Sequence, residues 1–311
     1  MEQKTVFKEN EQLKIALERV NGEYIDLLNS REYITGKRLL RLIHDFGHFN
    51  LIRIFRRLIN YRNKRRVEYK NNRDEYQNIK HKAANPDAKI VIYTCITGNY
   101  DGIVEPYFTS DRISYYLYTD TYFRDTIWKA RKIPKPIVEL NLTAAETNRY
   151  IKMHPHELFS EYDYTIYVDG KITIVSDLSQ MVNTLCGYYG VGMHKHSFRN
   201  DLYDEANACI VYKKGNLGKI KEQIRRYQDE GMPRQFGMRE AAVIVCDIKN
   251  QQGRQLLESW WQDYIFSKSG RDQLSLPYVV WKSGHEIDDI DIVDENNIEC
   301  NRKIRINGAH K

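Results

Sequence analysis

The chain lacks any apolar run long enough to cross a bilayer, and it opens without the charged, apolar and small-residue succession of a secretory leader. A cytoplasmic address is the expectation. Cysteine is scarce. Cys95, Cys186, Cys209, Cys246 and Cys300 are odd in number, scattered and never spaced C-x-x-C, which argues against a disulfide framework or a structural zinc site. A net positive excess is also lacking over most of the chain. Between Lys37 and Lys82 stand 14 Lys/Arg against 4 Asp/Glu, whereas the whole chain carries only +6, so the remainder is mildly acidic. That balance argues against a basic groove across the body, and nucleic acid is not an expected partner.

What is present is an ordinary globular composition, 41% hydrophobic and 29% charged. Its 311 residues suffice for one substantial core with extra elements or for two modest domains. Val6, Leu13, Leu17, Val20, Tyr24 and Leu27 recur at helical spacing. Residues 4–29 therefore read as an amphipathic helix, either packed on the body or paired as a coiled coil in a homo-oligomer. The segment "KRLLRLIHDFGHFNLIRIFRRLINYRNKRR" follows Gly36. Leu51, Ile52, Phe55, Leu58 and Ile59 share one helical face, with Arg53, Arg56, Arg57 and Arg62 on or beside the other. A basic amphipathic helix over 37–66 suits an anionic membrane surface, its apolar side at the acyl boundary and its arginines at headgroups. A helix packed on the body with solvated cations is the plainer alternative. Residues 68–88 read as a polar linker. The division is thus a coiled-coil-like helix over 1–36, a basic helix and linker over 37–88, and a domain over 89–311.

From Lys89 the texture changes. "KIVIYTCI" opens into Gly98, Asn99, Tyr100 and Asp101; "RISYYLYTD" ends at Asp120; "YDYTIYVDG" ends at Asp169. These are β-branched and aromatic runs apolar on both faces, and "AAETNRYIKMHPHELF" between the last two has helical potential. "NACIVYKK" and "AAVIVCDI" are expected to add strands, and "QGRQLLESWWQDYIF" a helix. Strands alternating with helices imply an α/β layered domain with a mainly parallel sheet. Ligands in such sheets sit beyond the carboxyl ends of the strands, where these aspartates and glycines gather.

Asp169-Gly170 has two readings. Asp-Gly between apolar runs is a hairpin turn signal; alternatively Asp169 ends a buried strand and offers its carboxylate to a ligand. Arg149, Lys152 and Lys171 are nearby cations that suit a pyrophosphate. His154-Pro155-His156 and His194-Lys195-His196 have spacing that can bind a metal or simply hydrogen-bond in loops. "HSFRNDLYDEA" concentrates His196, Arg199 and Glu205, among which a general base or an acceptor-hydroxyl contact is expected. "GRDQLS" places Arg271, Asp272 and Gln273 between a Trp-rich helix and an apolar run. There Asp272 is either a catalytic or sugar-binding carboxylate, or part of a helix cap.

"NRYIKMHPHELFSEYDYTIYVDGKITI", "HKHSFRNDLYDEANACI" and "SWWQDYIFSKSGRDQLSLPYVVWK" resemble, in this order, blocks of the DUF616 family of glycosyltransferase-like proteins. The likeness covers about residues 89–283. It implies a GT-A-like α/β/α sandwich with a mainly parallel central sheet, preceded here by the helical arm. It also implies transfer of a sugar from a nucleotide-sugar donor to a hydroxyl of a growing surface glycan or lipid-linked acceptor, on the cytoplasmic membrane face. By resemblance, Thr94, Gly98, Tyr100 and Asp101 lie near base and ribose, with Asp120 contributing. Arg149, Lys152, Asp169 and Lys171 serve the donor, Arg199, Arg271 and Gln273 the substrate, and Asp272, Glu205 and His196 the chemistry. Related enzymes carry Asp-x-Asp at the strand end, with Mg or Mn. Here position 171 is lysine, which either partly replaces the cation or leaves the metal to Asp169 with a distant histidine such as His285. The rivals are a catalytically degraded scaffold of the same fold and, further off, a nucleic-acid binder using the basic arm.

Overall fold

The computed structural model describes residues 81–307 apart from 83, 84, 86 and 101. The arm expected up to residue 80, including the 4–29 and 37–66 segments, and Asp101 lie outside the described residues.

The apolar runs become strands. β1 (Ile90–Ile96), β2 (Ile113–Thr119), β3 (Lys129–Lys132), β4 (Tyr164–Val168), β6 (Val191–Lys195), β7 (Arg239–Asp247) and β8 (Asp291–Ile292) form one sheet in the order β3-β2-β1-β4-β7-β6-β8. β1 runs parallel to β2 and β4, β2 to β3, and β6 to β8, while β7 is antiparallel to both its neighbours. The sheet is therefore mainly parallel, in a mixed α/β domain. β5 (Ile172–Ile174) and β9 (Ile304–Ile306) make a separate antiparallel pair.

Five long helices follow from their caps and periodicity. α1 (Ala144–Met153) starts at a capping box: Glu146 N–H donates to Thr143 Oγ1 at 3.2 Å, and Thr143 N–H donates to Glu146 Oε2 at 2.8 Å. α2 is Leu202–Val211, α3 Leu217–Asp229, α4 Gln251–Ser267 and α5 Asp272–Lys282. One expectation is corrected here, because "NACIVYKK" is no strand. Most of it forms the second half of α2, which starts where Asp201 accepts from Tyr203 and Asp204 N–H at 2.8 and 3.1 Å. Leu202, Ala206 and Cys209, spaced four and three apart, bury one face. The cap and the 3.6-residue period override the β-branched Ile210-Val211 pair.

The layers are unequal. The core residues of all five helices join Val91, Tyr93, Cys95 and Tyr167 on one sheet face. The other face, with Ile92, Ile96, Ile166 and Val168, is covered by a 3-10 segment at Ser179–Thr184, by β5 and β9, and by Trp128. Register explains this division, since alternate residues of one strand point to opposite faces.

His194, at the C-terminal end of β6, is fully enclosed and accepts from Asn301 Nδ2 at 3.1 Å. Burial pushes its pKa down to about 4, Asp294 opposing and Lys303 adding. Because the folded value lies below the unfolded one, the unfolded chain takes up the proton first. Stability is whole above about pH 6.5 and falls as pH drops toward 4, by up to roughly 3 kcal/mol from this group. Urea unfolding at pH 7 and pH 4.5 should show that loss, and His194→Asn should flatten the slope; an unchanged slope would assign it elsewhere.

Candidate active site

The site is built outward from the C-terminal end of β1. Thr97 Oγ1 donates to Ala144 O at 2.7 Å, Asn148 Nδ2 to Cys95 O at 2.6 Å, and Tyr93 OH to Lys152 O at 3.1 Å, which fixes α1 against the strand. Gly98 has φ +64°, and a Cβ there would stand 2.9 Å from Ala144 Cβ, so both backbone and space call for glycine. Its N–H donates to Asp120 Oδ2 at 2.8 Å, which ties the loop after β1 to the loop after β2.

On α1, Arg149 and Lys152 are three residues apart and share a face. Both reach Asp272, the first residue of α5. Arg149 Nε lies 2.9 Å and Lys152 Nζ 2.8 Å from Asp272 Oδ2. Lys152 is 3% exposed, and its ammonium also stands 4.0 Å from Asp169 Oδ1 and over the Tyr167 and Trp260 rings at 5.4 and 5.8 Å. Burial alone would raise the Asp272 pKa, but Arg149, Lys152 and Arg271 hold it far below the usual carboxylate range. Burial works against the charge of Arg149, and the Asp272 and Asp169 carboxylates outweigh it, so Arg149 stays charged. Trp260 Nε1 donates to Asp272 O at 2.7 Å and locks the helix start in place.

Arg271 begins a second cluster. Glu205 of α2 accepts from Arg199 Nη1 at 2.5 Å, with Arg271 Nη2 at 3.8 Å and His196 Nε2 at 3.6 Å. Burial works against its charge, yet His196, Arg199 and Arg271 bring its pKa down to about 2. His196 is raised: burial opposes its proton, while Glu240 at 4.0 Å and Glu205 favour it. Glu240, near the start of β7, was not anticipated; its only signal is a charge entering the apolar run "REAAVIVCD". Asn148, which accepts from Arg149 as well as donating to Cys95, was missed for the same reason, being one polar residue among many on a helix.

The other expected residues fall out as follows. Thr94 is 3% exposed within β1 and enclosed away from solvent, whereas Tyr100 is 62% exposed on the loop after it. Gln273 Nε2 donates to Arg239 O at 3.3 Å, which secures α5 to β7. Lys171 follows Asp169 in the turn, its carbonyl accepting from Asn307 N–H at 2.9 Å. That turn is no hairpin. β4 pairs with β1 and β7, and β5 leaves to pair with β9. His285 is not brought to Asp169. Eleven residues of α5, about 16 Å at helical rise, separate it from the Asp272 end. It pairs instead with Asp289 at 3.1 Å and stacks on Tyr188 at 4.3 Å, beside the opposite edge of the sheet. Neither H-x-H pair binds as a unit. His154 meets Tyr150 O and Glu258, while His194 and His196 face Asn301 and Glu205 across a register shift in β6.

The fit to Mg or Mn can be tested on this donor set. Hard divalent ions take several oxygen ligands. Asp169 offers its carboxylate, position 171 is a lysine, and Asp272 is engaged by two cations. Among the described residues no group of three His, Cys, Asp or Glu could hold a metal ion. A dication at Asp169 would also face the Lys152 ammonium, and like unit charges at 4 Å repel by about 4 kcal/mol at an effective dielectric near 20, doubled for a dication. The described residues at this site do not fit a protein-held divalent ion.

Paired cations flanked by half-exposed carboxylates at the C-terminal ends of strands have the chemistry to take an anionic ligand. The chain belongs to the TOD1/MUCI70 glycosyltransferase-like domain family, whose model matches residues 70–299. That membership supports a glycosyltransferase. No curated protein matches the chain in sequence. Similar solved structures include the bifunctional glycosyltransferase WbbM, 11% identical with TM-score 0.39, covering 64% of this chain and 39% of that one. The galactosyltransferase LgtC with donor and acceptor sugar analogues is 14% identical, TM-score 0.36, covering 61% of this chain and 70% of that one. Mouse xyloside xylosyltransferase 1 is 7% identical, TM-score 0.38, covering 64% and 83%. These are distant likenesses, and the chain spans well under half of the WbbM structure.

Asp272→Asn leaves two cations, one of them fully enclosed, without their counter-charge. Removing one member of a buried ion pair costs about 3–5 kcal/mol. Urea unfolding at pH 7 should show a loss of that size, and a loss below about 1 kcal/mol would mean the cluster is far wetter than its burial implies.

Proposed function

We propose that the chain moves a sugar from a nucleotide-sugar donor to a hydroxyl of a glycan or lipid-linked acceptor. The observation that carries this reading is the convergence of Arg149, Lys152 and Asp169 with His196, Arg199 and Arg271 at the starts of α2 and α5 and the C-terminal ends of β4 and β6, within a glycosyltransferase-like domain. In the reaction, the acceptor oxygen bonds to the anomeric carbon as that carbon's bond to the donor's phosphate oxygen breaks. The electron pair leaves on the diphosphate, so negative charge grows there and stabilisation of the leaving group accelerates the step.

The hydroxyl proton needs a base that is ionised and reachable. Asp272 and Glu205 are ionised, but their lone pairs are engaged by cations, which makes them weak bases. His196 is held toward its protonated form. The half-exposed carboxylates at this edge, Asp169 and Glu240, each with a side chain 24% exposed, are the groups this reading uses. The catalytic set thus shifts from Asp272, Glu205 and His196 toward residues these three hold in place. Contact with an anionic membrane through residues 37–66 completes the proposal, by bringing the enzyme to lipid-linked acceptors.

A thermal-shift and turnover screen of nucleoside diphosphates and nucleotide-sugars tests the donor. Asp169→Asn and Glu240→Gln should separately keep the fold, and one of them should lose about 10²–10⁴ in rate. Absence of any binding or turnover would favour the degraded scaffold. Separately, full-length protein should sediment with anionic liposomes and a chain starting at residue 83 should not; retained sedimentation of the shorter chain would remove the membrane role of the arm.

A further inference from the structure

The two buried carboxylates of the site are each outnumbered by cations. Asp272 is shared by Arg149 and Lys152, and Glu205 by Arg199 and Arg271. His196 lies near both Glu205 and Glu240, and Lys171 follows Asp169 in the chain. Such pairing fixes the cations: with Asp169 beside Lys152 the first cluster is balanced until Lys171 is counted, whereas Glu205 leaves Arg199 and Arg271 one positive charge in excess. The excess is displayed where the sheet edge opens: Arg149 and Arg271 have side chains 25% and 22% exposed, while their carboxylates are 6% and 7% exposed. The Nε–H groups of Arg199 and Arg271 are buried without a hydrogen-bond acceptor, whereas Arg149 Nε already faces Asp272 Oδ2 at 2.9 Å. Unused donors on fixed guanidinium groups are what an incoming phosphate oxygen completes. Opposite them, the strand-end carboxylate has an ammonium 4.0 Å away and a lysine two residues on.

We infer that Lys152 and Arg149, clamped by Asp272, occupy the role a divalent ion would fill at Asp169, so that this chain binds and releases a nucleoside diphosphate without metal. This rests on the glycosyltransferase reading and deepens it. Asp272 is then a positioning residue: it touches neither sugar nor phosphate, and it holds Arg149, whose partly exposed side chain meets the phosphate, and the enclosed Lys152, which acts through its charge. Arg199 and Arg271, held by Glu205, continue the cationic wall toward the start of α2.

The test uses the full chain, a nucleoside diphosphate as ligand and the nucleotide-sugar that turns over in the screen above. Calorimetric affinity for the diphosphate and the turnover rate are measured in EDTA, in Mg and in Mn. The expected result is less than about a threefold spread among the three in both readouts. Lys152→Met and Arg149→Met should each weaken diphosphate binding by about tenfold or more, the loss of one nearby charge and of one charge-assisted contact respectively, with no recovery in Mn. Because these variants remove buried cations and can unfold the chain, the wild-type comparison in EDTA stands on its own. Turnover or binding that collapses in EDTA and returns with Mn would overturn the inference while leaving the glycosyltransferase reading intact. Absence of binding and turnover in all three media would overturn that reading and the inference with it.

Discussion

The arrangement depends on one carboxylate with two cations. Asp272 sits at the first turn of α5, 4% exposed, with Lys152 and Arg149 both directed at it from α1. An isolated carboxylate in that position would be neutralised by its own desolvation; two cations within 3 Å keep it ionised. The ion triad therefore works in both directions. It lets a helix start be buried without a side-chain cap, since Arg271 at the cap position makes no such bond, and it fixes how α1 and α5 stand over the sheet edge. Buried ion groups are weak evidence of net stability but strong determinants of geometry, because leaving one member unpaired costs far more than the set contributes.

The adjoining cluster depends on the same helix start. Arg271 and Asp272 are consecutive, one facing Glu205 and the other facing α1, so α5 couples α2 to the β1–α1 connection through two neighbouring side chains. Gly215 makes this possible. It has φ +79°, and a Cβ would meet Ser269 O at 2.5 Å and Arg271 Cγ at 2.9 Å, so the loop before α3 packs directly on the residues that precede α5. Trp260 from α4 accounts for the remaining side, filling the core while its indole N–H holds Asp272 O. A bulky apolar residue with one polar handle suits a wall between core and charged cluster.

Much of the sheet was legible in the residues. β1, β2, β4 and β7 coincide with continuous β-branched and aromatic runs, which only a strand buried on both faces accounts for. β3, β8 and β9 were not, because "KARK", "DI" and "IRI" are short and gain their pairing from neighbours rather than from a pattern of their own. The helix Leu202–Val211 was hidden by Ile210-Val211, although Asp201 ahead of it was the visible cap. Of the site, the three polar blocks pointed to the residues that cluster, since a dense polar stretch between apolar runs has few other places to go. Their roles were not legible. A carboxylate that serves as base and one that serves as clamp read alike in a sequence, and the partners that decide between them lie 120 residues away in the case of Lys152 and Asp272.

The Asp169-Gly170 turn shows what decides such ambiguities. A hairpin and a strand exit share the same local chemistry, and the outcome rests on which edges of the strand are already taken. β4 has β1 on one side and β7 on the other, so no edge is left for β5 to pair with. The chain must leave the sheet at Asp169, whose N–H donates to Ala242 O at 2.9 Å as the last rung of the ladder. Exit at a central strand places the Asp169 carboxylate at the mouth of the sheet instead of along a hairpin flank, 4.0 Å from Lys152. A central position in the strand order, rather than the Asp-Gly pair itself, therefore sets where the Asp169 carboxylate stands. The lysine at position 171 then lies in the turn that leaves the sheet, its carbonyl accepting from Asn307 N–H at 2.9 Å.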